Sequence, residues 1–118
     1  MKNIIFFLTF ALSFFNEAHS AELTESNKAA IIKAVKENLI DPESANFKFV
    51  HSSPNEKNVY CGLVNSKNRF GGYTGFTVYQ VMILSPDSAY MLTIGTGSSD
   101  SVDTQVAVQS CAENGFEF

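Results

Sequence analysis

The first regular pattern along the chain is helical and covers residues 24–40. Apolar residues recur there at the spacing of one helix stripe, and the opposite face is charged. The stripe consists of Ile31, Ile32, Val35 and Leu39. Thr24 is a suitable N-cap with Glu25 in the first turn. Pro42 predicts the end of this helix, because the residue before a proline is disfavoured in the α region.

Residues 41–44 carry the signals of a second helix start. Asp41 is a suitable N-cap for this second helix, and Pro42 would occupy its first helical position. The pattern predicts a single helical turn here, after which the chain extends.

Beyond Asn46 the hydrophobic period changes from that of a helix to two. Phe47 and Phe49 form one alternating run, and Val59, Cys61 and Leu63 form the next. Residues 52–57 between them are rich in Ser, Pro and Asn, which favour turns. The two runs are therefore expected to pair as a hairpin.

Residues 75–84 give the longest predicted strand, and both of its faces are largely apolar. Such a strand is expected to be central and covered on both sides. Pro86 lies in a turn signal at residues 85–88, and a further strand is expected at residues 89–94. The pattern thus predicts an α+β domain in which the N-terminal helix packs on a four-stranded antiparallel sheet.

Residues 102–113 fit a short helix or an edge strand. The capping residues between Asp100 and Asp103 and the Asn114-Gly115 stop favour the helix slightly. In either form this segment is expected to lie against the second strand, because it contains Cys111.

The first residues of the 118-residue chain are typical of an export signal. A basic start is followed by an apolar run from Ile4 to Phe15, which is too short to span a bilayer. Ala18 and Ser20 are small residues at the −3 and −1 positions of a cut before Ala21. We expect residues 1–20 to be a signal peptide, residues 21–118 to be one domain, and the product to be periplasmic or secreted from a bacterium without a membrane span.

The charge balance narrows the possible partners. The chain has 12 Asp and Glu against 8 Lys and Arg, a formal net charge of −4. An exported acidic protein is a poor candidate for nucleic-acid binding, and none is expected.

The two cysteines, Cys61 and Cys111, both follow the predicted cleavage site. An even pair in a small exported domain indicates a disulfide. The alternative is a nucleophilic Cys61, which would need a base to stabilise its thiolate. His51 is the one histidine after the predicted cut.

The segment at residues 65–76 has an unusual composition for a connector. It combines two cations and three aromatics with three glycines, a mixture suited to presenting rings and charge. The candidate binding residues are Lys67, Asn68, Arg69, Phe70, Tyr73 and Phe76. The alternative is a self-supporting turn, in which Asn65 and Asn68 bond the loop backbone and the aromatics tuck under the sheet.

Three stretches resemble a group of small exported bacterial proteins that share the pattern DPxSAxF, then CGxVNxKNxxGGYxGF, then a later cysteine. They are residues 41–47, 61–68 and 71–76. The resemblance implies export and a shared fold, and it carries no activity. The chain departs from the pattern at Leu63, where an acidic residue is common. It also lacks the aromatic residue that the group places before the last cysteine, having Val106, Val108 and Gln109 there.

No catalytic or metal-binding constellation is recognisable in the sequence, so no cofactor or metal is expected. His51 shares the predicted strand face of Phe47 and Phe49, which is typical of a satisfied, partly buried side chain. The acidic pairs Asp41 with Glu43 and Asp100 with Asp103 stand where helix caps are needed.

These observations favour a non-enzymatic binding protein that recognises another envelope macromolecule, in the manner of an inhibitor or immunity protein. One alternative is a cell-wall glycan-binding or envelope assembly accessory that uses Tyr73 and Phe76. Another is a small hydrolase that uses His51.

Overall fold

The computed structural model describes residues 22–118, which form two helices and a four-stranded antiparallel sheet. The helices are α1 (Glu25–Lys36) and α2 (Val102–Glu113), and the strands are β1 (Asp41–Lys48), β2 (Val59–Lys67), β3 (Thr77–Ser85) and β4 (Ser88–Ile94). The strands lie in the order β1-β2-β3-β4, so each pairs with its neighbour in sequence. The predicted α+β class is confirmed, whereas the predicted signal peptide lies outside the described residues.

Helix α1 begins as predicted and ends four residues early. Thr24 is the N-cap, and its side chain and that of Asn27 bond each other's backbone N–H groups in a capping box. The predicted extension to residue 40 is wrong. The side chain of Asn38 donates to the carbonyl of Ala34 at 3.0 Å, and the N–H groups of Asn38 and Leu39 bond carbonyls three residues back. These tighter bonds close the last turn before Pro42 is reached.

Residues 41–44 lie in β1, so the predicted helical turn and the capping role of Asp41 are both wrong. Asp41 is the register partner of Lys67, and the pairing is irregular between Asp41 and Asn46. Ser44 holds this irregular part, because its hydroxyl donates to the carbonyl of Asp41 at 2.7 Å and accepts from the N–H of Lys67 at 2.8 Å. Pairing with β2 therefore overrides the local preference of the sequence.

Strand β3 lies between β2 and β4, and its first five residues, 77–81, are buried. The prediction that its whole length is covered is wrong for the second half, where Leu84 is 62% exposed. Residues 86–87 form the predicted turn into β4.

Residues 102–113, whose pattern fits either a helix or a strand, form α2. The side chain of Ser101 caps its first turn by accepting from the N–H of Thr104 at 3.1 Å. Gly115, with a φ of +91°, follows the C-cap Asn114 in the left-handed conformation that glycine adopts without strain.

Cys61 of β2 and Cys111 of α2 form the expected disulfide, with their Cα atoms 6.1 Å apart. Both residues are fully buried. Beside the disulfide, the hydroxyl of Ser110 donates to the side-chain oxygen of Gln80 at 2.9 Å. A disulfide is typical of an oxidising compartment such as the periplasm or the extracellular space.

Candidate functional site

The loop that joins β2 to β3 is a compact hairpin built by its own polar groups. Lys67 and Tyr73 pair across its base, and the N–H of Asn68 donates to the carbonyl of Gly72 at 2.8 Å. The side-chain oxygen of Asn68 also accepts from the N–H groups of Phe70, at 2.9 Å, and Gly72, at 3.2 Å. We call residues 67–76 the aromatic loop.

Two glycines permit the turns of the aromatic loop. Gly71 and Gly75 have φ values of +79° and +93°, where a side chain would be strained. The N–H of Gly75 donates to the side-chain oxygen of Asn65 at 3.1 Å. The expected self-bonding of the loop through Asn65 and Asn68 is therefore present.

The three aromatic side chains of the loop are exposed to different degrees. Phe70 is 88% exposed, Tyr73 is 50% exposed and Phe76 is 40% exposed. The alternative prediction that these rings tuck under the sheet is wrong. A hydrogen-bonded backbone thus carries one largely exposed aromatic side chain, Phe70, and two partly exposed ones, Tyr73 and Phe76.

Two cations lie against these rings, and a third stands at the loop tip. The ammonium of Lys48 lies 4.0 Å from the centre of the Phe76 ring, and that of Lys67 lies 5.5 Å from the centre of the Tyr73 ring. Arg69, which lies between Lys67 and Tyr73 in the sequence, is exposed. These three are among eight Lys and Arg residues in an acidic chain, and Asp41 is the register partner of Lys67, so side chains of both charges lie at the base of the loop.

Lys48 is the site residue that sequence reasoning missed. It belongs to β1 and is the register partner of Leu63, which is in turn the partner of Val78. Only this three-strand register brings Lys48 to Phe76, and no local signal in the sequence indicates it.

Tyr73 is fixed to the sheet at both ends of its side chain. Its hydroxyl donates to the carbonyl of Ser44 in β1 at 3.1 Å, and its backbone pairs with Lys67. Tyr73 is therefore both an exposed ring and a structural anchor, whereas the tip residues Arg69 and Phe70 carry no side-chain hydrogen bond or ring contact within residues 22–118.

A cavity of about 320 Å³ lies at the base of the aromatic loop. The loop contributes Lys67, Asn68 and Thr74 to its wall. The rest of the wall comes from the turn after α1, the ends of β2 and β4, the start of β3 and Asp103 of α2. No pattern in the sequence indicates this cavity, because its walls come from segments that are far apart along the chain.

His51 lies outside this region and outside the strands. Its ring packs edge-on against Phe116, at 4.9 Å between ring centres, and Phe118, at 5.3 Å. The predicted shared strand face with Phe47 and Phe49 is wrong, because β1 ends at Lys48. The predicted satisfied side chain is also wrong, because Nε2 is buried without a hydrogen-bond partner in the described part of the chain.

Within residues 22–118 there is no group of three or more His, Cys, Asp or Glu side chains placed to hold a metal ion. Of the acidic residues considered as pairs, Asp41 lies in β1 and Asp103 lies in the first turn of α2. In the same part of the chain, no helix has the length and hydropathy needed to cross a membrane.

No protein-family model, curated protein or solved structure matches this chain. The resemblance to small exported bacterial proteins therefore stays a prediction.

Proposed function

We propose that this protein is an exported, non-enzymatic binding protein that recognises another protein of the cell envelope through the aromatic loop. A concrete form of this function is an inhibitor or immunity-like protein that covers an enzyme or toxin. The observation that carries the proposal is the exposure of Phe70, Tyr73 and Phe76 on one hydrogen-bonded hairpin.

The residue types of the loop support binding to a protein. Aromatic residues and arginine dominate the energetics of protein interfaces, and Phe70 and Arg69 stand together at the loop tip. Because Asn68 already holds the backbone of the tip, little conformational entropy is lost when a partner binds.

The cations indicate the charge of the partner surface. Lys48 and Lys67 lie against the Phe76 and Tyr73 rings and Arg69 is exposed at the loop tip, and acidic side chains on the partner would complement these cations. We therefore expect the partner to present an apolar patch surrounded by acidic side chains. We also expect the association rate to fall as salt is added.

The alternatives have less support from the geometry. A sugar stacks on the face of an aromatic ring, but Lys48 lies over the Phe76 ring and Lys67 lies over the Tyr73 ring. A hydrolase would need a nucleophile beside His51, whereas its described ring contacts are with Phe116 and Phe118.

The test is affinity capture from envelope extract with the oxidised protein, followed by titration of each identified partner in purified form. Arg69→Ala with Phe70→Ala removes two exposed side chains without removing a described hydrogen bond. The matched control is Lys57→Ala with Val102→Ala, which removes an exposed cation and an exposed apolar side chain elsewhere.

Retention by the parent and the control, with loss by the loop variant, would support the proposal. Equal retention by all three would place the binding surface elsewhere. Retention of wall fragments in place of protein would favour glycan binding, and an activity that His51→Gln abolishes would favour the hydrolase.

A further inference from the structure

The tip of the aromatic loop is a closed turn. The N–H of Gly71 donates to the carbonyl of Asn68 at 3.0 Å, and the side-chain oxygen of Asn68 accepts from the N–H groups of Phe70 and Gly72. Arg69 and Phe70 are the two residues between the ends of the turn. The turn therefore presents these two side chains next to each other on a backbone that is already hydrogen-bonded.

The shape of the tip favours a concave partner. Residues 69–76 are all exposed, and Phe70 is the most exposed large apolar side chain within residues 22–118. A tip of two side chains offers little area to a flat surface, since a stable interface buries about 800 Å² on each partner. A cleft encloses such a tip from several sides and therefore buries more of it.

The charge of the tip selects among concave surfaces. The guanidinium of Arg69 has no hydrogen bond or ion pair within residues 22–118. A guanidinium binds a carboxylate through two parallel N–H bonds, whereas an enzyme cleft that holds a metal cation would repel it. The tip is thus suited to a cleft in which an ionised carboxylate lies beside an apolar surface.

We propose that the partner is a glycoside hydrolase of the cell envelope and that the loop tip enters its substrate cleft. These enzymes place two carboxyl groups on either side of the scissile bond, and one of them is an ionised base or nucleophile. Arg69 binds that carboxylate. The protein is then a competitive inhibitor of glycan cleavage.

The ring of Phe70 takes the place of a sugar in the adjoining part of the cleft. Ligand clefts are lined mainly by apolar and aromatic side chains, and an aromatic ring packs against these by stacking or edge-on. Because Phe70 directly follows Arg69, the ring and the guanidinium reach neighbouring positions of one cleft.

This proposal rests on the proposed function, since both use the aromatic loop, and it adds the class of the partner. The test is hydrolysis of isolated cell wall by envelope extract and, separately, by a panel of lysozymes of unrelated sequence. The oxidised full-length protein is added to each. New reducing ends report cleavage of glycosidic bonds, and new amino groups report cleavage of peptide bonds.

We expect the protein to lower the release of reducing ends and to leave the release of amino groups unchanged. A soluble wall oligosaccharide should weaken this inhibition, because it competes for the same cleft. Unchanged release of reducing ends with both enzyme sources would overturn the proposal. The proposed function would still stand if the loop captured a different protein, such as a peptidase whose release of amino groups falls.

Variants locate the contact on the inhibited enzyme. Arg69→Ala should raise the inhibition constant about a hundredfold, and Arg69→Lys about tenfold, because lysine keeps the charge and loses the second bond. Phe70→Ala should raise it about tenfold or more. Replacement of the enzyme's two catalytic carboxyl groups by amides should weaken binding of the parent about tenfold or more.

The matched control is Lys57→Ala, which removes an exposed cation outside the aromatic loop and should leave the inhibition constant unchanged. Circular dichroism of each variant shows that it is folded. Inhibition that persists in folded Arg69→Ala and Phe70→Ala, or that does not depend on the carboxyl groups of the enzyme, would overturn the proposal.

Discussion

The ring of Tyr79 occupies the space in which a side chain of Gly62 would lie. The two residues are register partners on β3 and β2, and a Cβ built on Gly62 would collide with the hydroxyl and ring carbons of Tyr79. Tyr79 is fully buried and meets Phe47 of β1 edge-on, at 6.0 Å between ring centres. A glycine on β2 thus lets the ring of β3 reach the first strand.

Gly62→Ala should lower the free energy of unfolding by about 3 kcal/mol, because the added methyl group overpacks the site. Urea unfolding followed by circular dichroism measures the loss. Gly72→Ala is the control, since its added Cβ would have no neighbour closer than 3.9 Å. If the two variants are equally stable, the ring does not hold the position described.

Tyr79→Phe should raise the free energy of unfolding by about 1 kcal/mol, because it removes a buried hydroxyl that has no hydrogen-bond partner in the described part of the chain. Tyr60→Phe should instead lower it by about 1 kcal/mol, since the Tyr60 hydroxyl donates to the carbonyl of His51 at 2.7 Å. Urea unfolding of the two variants compares these effects. If both variants change the free energy of unfolding in the same direction, the description of one hydroxyl as bonded and the other as unbonded is wrong.

Stability should fall in alkaline solution. Burial raises the pKa of Tyr60 to about 12, and burial together with the nearby Tyr60 also raises the pKa of Tyr79. The unfolded chain therefore loses these protons first, so their contribution is complete below about pH 10 and declines as the pH rises toward about 12. Urea midpoints measured across this range should decline less steeply in Tyr79→Phe, and an unchanged slope would contradict the prediction.

Loss of the disulfide should lower the free energy of unfolding by about 4 kcal/mol, because Cys61 and Cys111 close a loop with a sequence separation of 50 residues. The comparison is between oxidised protein and the double variant Cys61→Ala, Cys111→Ala in urea. Reductant should destabilise the parent and leave the double variant unchanged, and a parent that tolerates reductant would refute the prediction.

Asn68→Ala should release the tip of the aromatic loop with little change in global stability. The amides of Phe70 and Gly72 lose the acceptor that they share, so their hydrogen exchange should accelerate about tenfold. Asn65→Ala is the matched variant, because it should affect the amide of Gly75 instead. Exchange measured by NMR distinguishes them, and identical profiles would contradict these separate roles.

The elements could be predicted wherever local pattern and tertiary pairing agree. The stripe of Ile31 and Val35 indicated α1, and both residues are fully buried. Residues 41–44 show the limit of such reasoning: their caps and proline favour a helical turn, and pairing with the end of β2 makes them a strand.

The sequence was sufficient to predict which residues form the candidate site, but not how their side chains are arranged. The mixture of rings, cations and glycines identified residues 65–76, and Asn68 bonds the loop backbone as expected. The exposure of the rings and the approach of Lys48 to Phe76 depend on contacts between distant segments, which a local pattern does not contain.

The disulfide also determines the outcome of a cut in the chain. The aromatic loop, with its exposed Arg69, lies between Cys61 and Cys111 in sequence. A protease that cleaves after Arg69 therefore produces two pieces that stay covalently joined, and neither is released until the bond is reduced. A single cut in this exposed loop therefore does not separate the two parts of the molecule.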